Sequence, residues 1–415
     1  MGDYAHSRDL LAPIAVKTNE DFVLNNARLG SATLAMYDLT GAEAAFLRAY
    51  EVLNSLGVNN GGRSIGAVLV DEQIKIWRGE PYERAMANFY LGLVYYMQRD
   101  YNNARGAFEN ALFKLRDYAA DEENQEPQPD KYKEVESNFA LAQFLLARCF
   151  QRLGQDDLAK ANYKRMTDSR PELAPLANWD ANAKANVVLI VDYGSAPQKT
   201  TDFDGALVGF EPTPQTAGPI PMPQVHVDDG YAPLFAQPMP LVDLVTLAQD
   251  RKWQSIDTIR AVKSALGTGL IAGGAYGLAN SESGTAQAVS GALILTGLLL
   301  KATSQADVRV WETLPRSTFV IPLALTPGKH DISVGFPVIV NNYPRQRADG
   351  AMYTQPITTG GYSQTWHNLT VPESGEVTYY FRLQGGAVKD ATWPPATITG
   401  WNATALPPQA EPSSP

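Results

Sequence analysis

The chain has 415 residues, 45% apolar and 19% charged, a globular mixture with room for two or three domains. Acidic residues outnumber basic ones 44 to 34, for a net charge of -10, which argues against the basic surface that non-specific nucleic-acid binding needs. The single cysteine, Cys149, forms no internal disulfide and reads as a buried thiol among Leu145, Leu146 and Phe150.

Met1–Tyr4 carries no basic or apolar signal region. The stretch Gly2-Asp3-Tyr4, Ser7, Leu11 and Ile14 fits a turn and one amphipathic helix. Such a helix is either a cap or the second half of a helical pair whose first half lies upstream, where a targeting signal would also lie.

Three later stretches share one pattern. Leu29-Gly30 is followed by Ala42, Phe46 and Ala49; Leu91-Gly92 by Tyr95, Ala104, Phe108 and Ala111; Leu146-Ala147 by Phe150, Ala159, Tyr163 and Pro171. A small residue on one helix lets a large residue of the next nest against it. The spacing therefore predicts helical pairs over 23–56, 85–118 and 140–173, packed through Gly30, Ala42, Phe46, Gly92, Ala104, Phe108, Ala147, Ala159 and Tyr163. These offsets resemble the tetratricopeptide (TPR) repeat, a helix–turn–helix of 34 residues. Ala42, Ala104 and Ala159 are 62 and 55 residues apart, so insertions interrupt the series at Gly57–Arg84 and Ala119–Phe139. The first is expected to hold a Gly/Asn loop and a helix near Asp71–Trp77, the second an acidic exposed loop.

Asn186–Gly194 reads as a buried strand, and Ala196–Pro240 is rich in proline and glycine with short strands at most. Leu241–Leu266 has helical period. Within Gly267–Thr303, Gly269, Gly273 and Gly277 fall four residues apart, a spacing that permits close helix contact. It suggests a glycine-rich helical hairpin, with arms short for a membrane span. From Val308 the pattern alternates in short strands, Val308–Trp311, Thr318–Leu325, His330–Phe336, Ser363–Val371 and Glu376–Leu383, as in a small antiparallel sandwich.

The expected fold is α+β: a TPR-like helical array over 1–185, a strand and Pro/Gly-rich linker over 186–240, a helical and glycine-rich segment over 241–305, a small antiparallel β-sandwich over 306–385, and an irregular tail over 386–415.

Tyr82-Glu83-Arg84, Leu189–Pro197, Asp257–Ala265 and the run Ala306–Pro315 with Pro327–His330 together resemble an uncharacterised bacterial family of TPR-containing envelope proteins, many lipoprotein-like. The resemblance implies a periplasmic or outer-membrane-associated location. It supplies no catalytic residues, and no lipid-attachment cysteine precedes the repeats here.

Catalytic motifs lack their context. Gly62-Arg63-Ser64-Ile65-Gly66 matches a nucleophile elbow, but a Gly/Asn loop precedes it where a strand is required. Gly267-Thr268-Gly269 is too far from Gly273 for a dinucleotide fingerprint. His6, His226, His330 and His367 are scattered, without metal spacing. No enzyme, cofactor or metal is expected.

Position on the first helices marks Arg28, Asn88, Tyr95 and Gln143 as candidate partner-binding residues. A concave groove left open would favour capture of a protein or peptide partner, including envelope components. A groove filled by the chain's own segments would favour a purely supporting array. Self-assembly or peripheral membrane association through 267–303 is the alternative.

Overall fold

Where Gly30 faces Phe46, a Cβ on the glycine would sit 2.6 Å from the ring, and Gly92 meets Phe108 at 2.7 Å in the same way. Both contacts lie inside helical hairpins, so the missing side chains set how closely the paired helices approach. The computed structural model describes residues 3–55, 76–77, 79–119, 133–136, 138–202, 207–213, 217–249, 309–346, 351–383 and 391–392. The expected helix near Asp71, the Ser64 motif, the glycine-rich segment 267–303 and the end of the tail lie outside them.

Three hairpins follow a first helix, α1 (Tyr4–Ala15). They are α2 (Phe22–Ala35) with α3 (Leu39–Ser55), α4 (Pro81–Met97) with α5 (Tyr101–Phe113), and α6 (Ala140–Arg152) with α7 (Asp156–Ser169). Local signals start them. Asp100 accepts the Asn103 amide at 3.1 Å. Glu80 and Glu83 form a reciprocal capping box ahead of α4, with Pro81 in its first turn. Each first helix of a hairpin ends on a left-handed residue, Tyr37 (φ 61°), Arg99 (φ 61°) and Gly154 (φ 68°). In each, the next amide reaches back to the last turn: Asp38 to Thr33, Asp100 to Tyr95, Gln155 to Phe150, the six-to-one bond of a Schellman cap.

A short 3-10 turn (Pro171–Ala177) and α8 (Trp179–Lys184) lead into the sheets. The central sheet holds β14 (Val377–Leu383), β3 (Val187–Tyr193), β9 (Ser317–Leu323) and β8 (Pro240–Asp243) in that order. Every residue of β3, β9 and β14 is buried, as expected of strands covered on both faces. Asp192, Thr318 and Tyr380 face the helices, where Asp192 and Tyr380 meet Tyr90. Phe381, Tyr193 and Phe319 face the other way. They meet Trp366 and Phe336 at ring distances of 3.7, 4.4 and 5.5 Å.

Those partners belong to a second sheet. Its order is β15 (Ala391–Thr392), β13 (Tyr362–Val371), β10 (Gly328–Phe336), β6 (Gln224–Val227) and β7 (Gly230–Tyr231). Helices, central sheet and outer sheet thus stack in three layers around one large core, with a small separate cluster of Ala15, Leu29 and Ala45 where α1 packs. Three two-stranded ladders complete the described strands: β1 (Arg116–Ala119) with β2 (Lys133–Glu136), β4 (Gln198–Asp202) with β5 (Leu207–Glu211), and β11 (Ile339–Gln346) with β12 (Met352–Thr359). Of the helix expected over 241–266, the described part is α9 (Leu244–Ala248).

The architecture is α+β, with three departures from the sequence expectation. First, β3 and β6 come from the stretch read as strand and linker, and β8 runs from its last residue into the stretch read as helical, whose residues Leu241–Asp243 are strand; all three pair with later strands. Second, the ladders are mixed, because β14 runs parallel to β3 and β15 parallel to β13. Third, Arg309–Trp311 is not a strand. Its backbone groups are taken by side chains instead: Glu83 accepts from the Trp311 amide at 2.8 Å, and Lys199 and Trp77 donate to the Arg309 carbonyl.

Glycine contacts give a first test. Gly30→Ala and Gly92→Ala should each destabilise by about 1–3 kcal/mol, because overpacking outweighs the better helix propensity of alanine. Gly106, on α5, has open space where a Cβ would stand, so Gly106→Ala should stabilise by up to about 1 kcal/mol. Denaturant unfolding of the three variants separates these outcomes.

Candidate functional site

Charged side chains are concentrated, buried, along the seam between the helices and β14. Glu376, just before β14, is 1% exposed and paired with Arg148 and Arg152 of α6. Tyr96 of α4 donates its hydroxyl to the same carboxylate at 2.5 Å. Arg148 also reaches the Asn182 side chain at 2.7 Å, and Arg152 the Ala185 carbonyl at 2.6 Å. Burial alone would raise the Glu376 carboxyl, but the two guanidinium groups outweigh it and hold it below the ordinary carboxylate range.

A second buried acid, Asp192, sits mid-sheet. It accepts hydroxyls from Tyr90 at 2.5 Å, Tyr380 at 2.7 Å and Thr318 at 2.6 Å. Burial raises its pKa despite the nearby Arg382 and these three donors. The third is Glu83, fully enclosed near Lys199 at 3.3 Å and bonded to the amides of Trp311 and Glu80. Burial dominates here too and raises the carboxyl.

The outer edge of β14 is closed by the left-handed turn residues. The Tyr37 hydroxyl receives the Tyr380 amide at 2.7 Å and donates to the Tyr380 carbonyl at 2.5 Å, standing in for a neighbouring strand. Arg99 donates to the Glu376 carbonyl at 2.8 Å.

The four residues singled out by sequence lie as follows. Arg28 is bound to Glu312 at 2.7 Å and to the Val310 carbonyl. Asn88 and Gln143 are 0% and 2% exposed, closed inside the helix layer. Tyr95 is half-buried, and burial, with Glu43, Asp100 and Tyr50 around it, raises its phenol. The structure does not bring these four to one open surface. Sequence reasoning missed Arg148, Arg152, Glu376, Tyr37 and the Asp192 cluster. The available signal was a charge inside an apolar run, as Asp192 in Val187–Tyr193 and Arg148 in Ala140–Phe150, since buried charges need built partners.

On the outside, α5 and α7 flank a groove of about 470 Å³. Leu146 and Phe150 of α6 line it, with Leu112, Phe113 and Leu158, and the polar Glu109, Asn110, Asn162 and Arg165 complete its lining. Among the described residues no His/Cys/Asp/Glu group could hold a metal ion, and no helix is long and apolar enough to cross a membrane.

Residues 141–172, covering most of α6 and all of α7, match a tetratricopeptide repeat model. No curated protein and no solved structure matches the chain. The chain thus contains a tetratricopeptide repeat, a module of protein interaction, in the hairpin that supplies Arg148 and Arg152.

The ion pair makes its own prediction. Glu376→Gln leaves two arginines without a countercharge in a dry site and should cost about 3–5 kcal/mol. Arg148→Met combined with Glu376→Gln should cost less than the two single changes summed. The sign with pH follows from the lowered carboxyl. Its contribution is complete above the unfolded value of 4.5 and is lost as pH falls through the lower folded value. The stability gap between the parent and Glu376→Gln should therefore narrow in acid, measured by urea unfolding across pH.

Proposed function

We propose that the chain is a non-enzymatic protein-interaction scaffold built on a TPR-like helical array, working in the bacterial envelope setting that the family resemblance implies. The inner helix surface carries the chain's own strand β14 and the segment Arg309–Glu312. On this reading the inner surface is committed to supporting the sheets, and a partner is taken on the outer surface, between α5 and α7.

The observation that carries the reading is the pair of large apolar side chains on the two walls of that groove. Phe113 and Leu158 are each 49% exposed, on opposite sides of a floor formed by Leu146 and Phe150. Apolar walls and floor with charged and amide groups among them suit the apolar face of an amphipathic helix. The floor and the α7 wall of the groove belong to the repeat that matches the family model, and α5 supplies the other wall.

The test is affinity capture from a bacterial envelope fraction, comparing the parent with Phe113→Asp and Leu158→Asp. Both changes fall at exposed positions, so circular dichroism should stay unchanged. A partner held by the parent should be weakened roughly 30-fold or more by either variant, the effect of removing an interface hot spot. Undiminished binding of that partner by both folded variants would sink the reading.

A further inference from the structure

At one end of the outer sheet, Asp331 of β10 occupies a bulge, where the ladder to β13 slips between His330 and Ile332. Two non-glycine residues with left-handed backbone flank it, Asp228 (φ 53°) in the β6–β7 turn and Asn368 (φ 61°) on β13. Such conformations cost roughly 1–2 kcal/mol each and persist where bonds over-determine them. Here they do. Asp228 donates its amide to the Asp331 carbonyl at 2.7 Å and accepts the Asp331 amide on its carboxylate at 3.0 Å. The Asp331 carboxylate accepts the Asn368 amide at 2.8 Å and meets His367 Nδ1 at 2.7 Å.

His330 completes the corner. Its Nδ1 lies 2.8 Å from the Asp228 carboxylate, and its Nε2 lies 2.8 Å from the Thr326 carbonyl. Both partners are acceptors, and a neutral imidazole has only one N–H. The arrangement is satisfied at both nitrogens only when the ring carries two protons.

We propose that this corner is a pH-operated latch, in which doubly protonated His330 clamps the Asp228 turn to the Asp331 bulge and loss of one proton loosens the β6–β7 edge. Asp228 is the charged group in contact with the ring; the turn and the strands beside it further carry Asp229, His226 on β6, Lys329 and Asp331 on β10, and His367 on β13. Burial opposes the ring's charge, but the Asp228 carboxylate and the Thr326 carbonyl outweigh it and raise His330 above its ordinary 6.5. A raised histidine stabilises the clamped form fully below 6.5, and the contribution fades as pH rises through the folded value. What loosens is the two-residue turn together with β7, which carries a surface aromatic. Tyr231 is 80% exposed and lies against His226 at a ring distance of 4.5 Å.

The test follows the His330 ring proton by NMR in the full chain and reads amide hydrogen exchange of residues 225–231 on either side of its midpoint. The midpoint should lie above 6.5. Exchange, corrected for its intrinsic pH dependence, should be about tenfold faster on the deprotonated side, the loss of one charge-assisted hydrogen bond. His330→Gln should exchange fast at every pH. Asp228→Asn, which keeps the histidine, should bring the midpoint down towards the ordinary value and carries the comparison if His330→Gln fails to fold. A parent midpoint at or below 6.5, or exchange unchanged across it, would overturn the latch.

Discussion

A carboxylate that leaves water must find its countercharge in the same place, and Glu376 finds two. Desolvating an ion costs several kcal/mol even after the protein relaxes, so the start of β14 can pack against the helix layer only where Arg148 and Arg152 wait for Glu376. The pair need not add net stability, since a well-packed apolar replacement is often as good. Its effect is directional: a one-residue slip of β14 would strand the carboxylate away from both arginines. The seven-residue parallel register of β14 on β3 is then fixed from the helix side as well as from within the sheet. The unequal cost of single and paired replacements is what separates this role from simple adhesion.

The same logic explains the odd residues in the helical turns. A left-handed cap normally selects glycine, and the third hairpin has Gly154. The first two hairpins accept the backbone cost of Tyr37 and Arg99 at the same place, and their side chains reach the backbone of Tyr380 in β14 and of Glu376 just before it. An uncovered strand edge invites pairing with another chain. Here the helices meet that edge with one phenol and one guanidinium, each set by the left-handed turn of its hairpin.

Much of the helix layer was legible because its determinant is local in sequence. A glycine at a fixed offset from an aromatic ring is a packing instruction that needs no distant partner, as Gly30–Phe46 and Gly92–Phe108 illustrate. The strands β9, β10, β13 and β14 were legible from alternation and bounding turns. The joining of β3 to β9 and β14 was not, since nothing local links Val187 to Leu323 or Val377. The candidate site suffered the same way. Position on a first helix pointed to Arg28, Asn88 and Gln143, but Asn88 and Gln143 are closed inside the helix layer, and Arg28 is taken by Glu312 and the Val310 carbonyl, far along the chain. Arg148 did carry a signal, being a full charge inside an apolar helix.

That covering also decides what the helical hairpins can offer. A helical hairpin has two broad faces, and apolar surface on either must be buried or used. The inner face is spent on the chain's own sheet, with Tyr90, Tyr96 and Arg148 all engaged there. The outer face keeps Phe113 and Leu158 half out of water over Leu146 and Phe150. Scattered exposed apolar residues mean little on their own, but apolar side chains gathered around one concave groove have a shape a partner can fill. A repeat that binds its own strand so fully gains rigidity. On the proposed reading, a groove braced in this way from its inner side would lose little conformational entropy when filled, so the occupied inner face and the outer groove would serve one end.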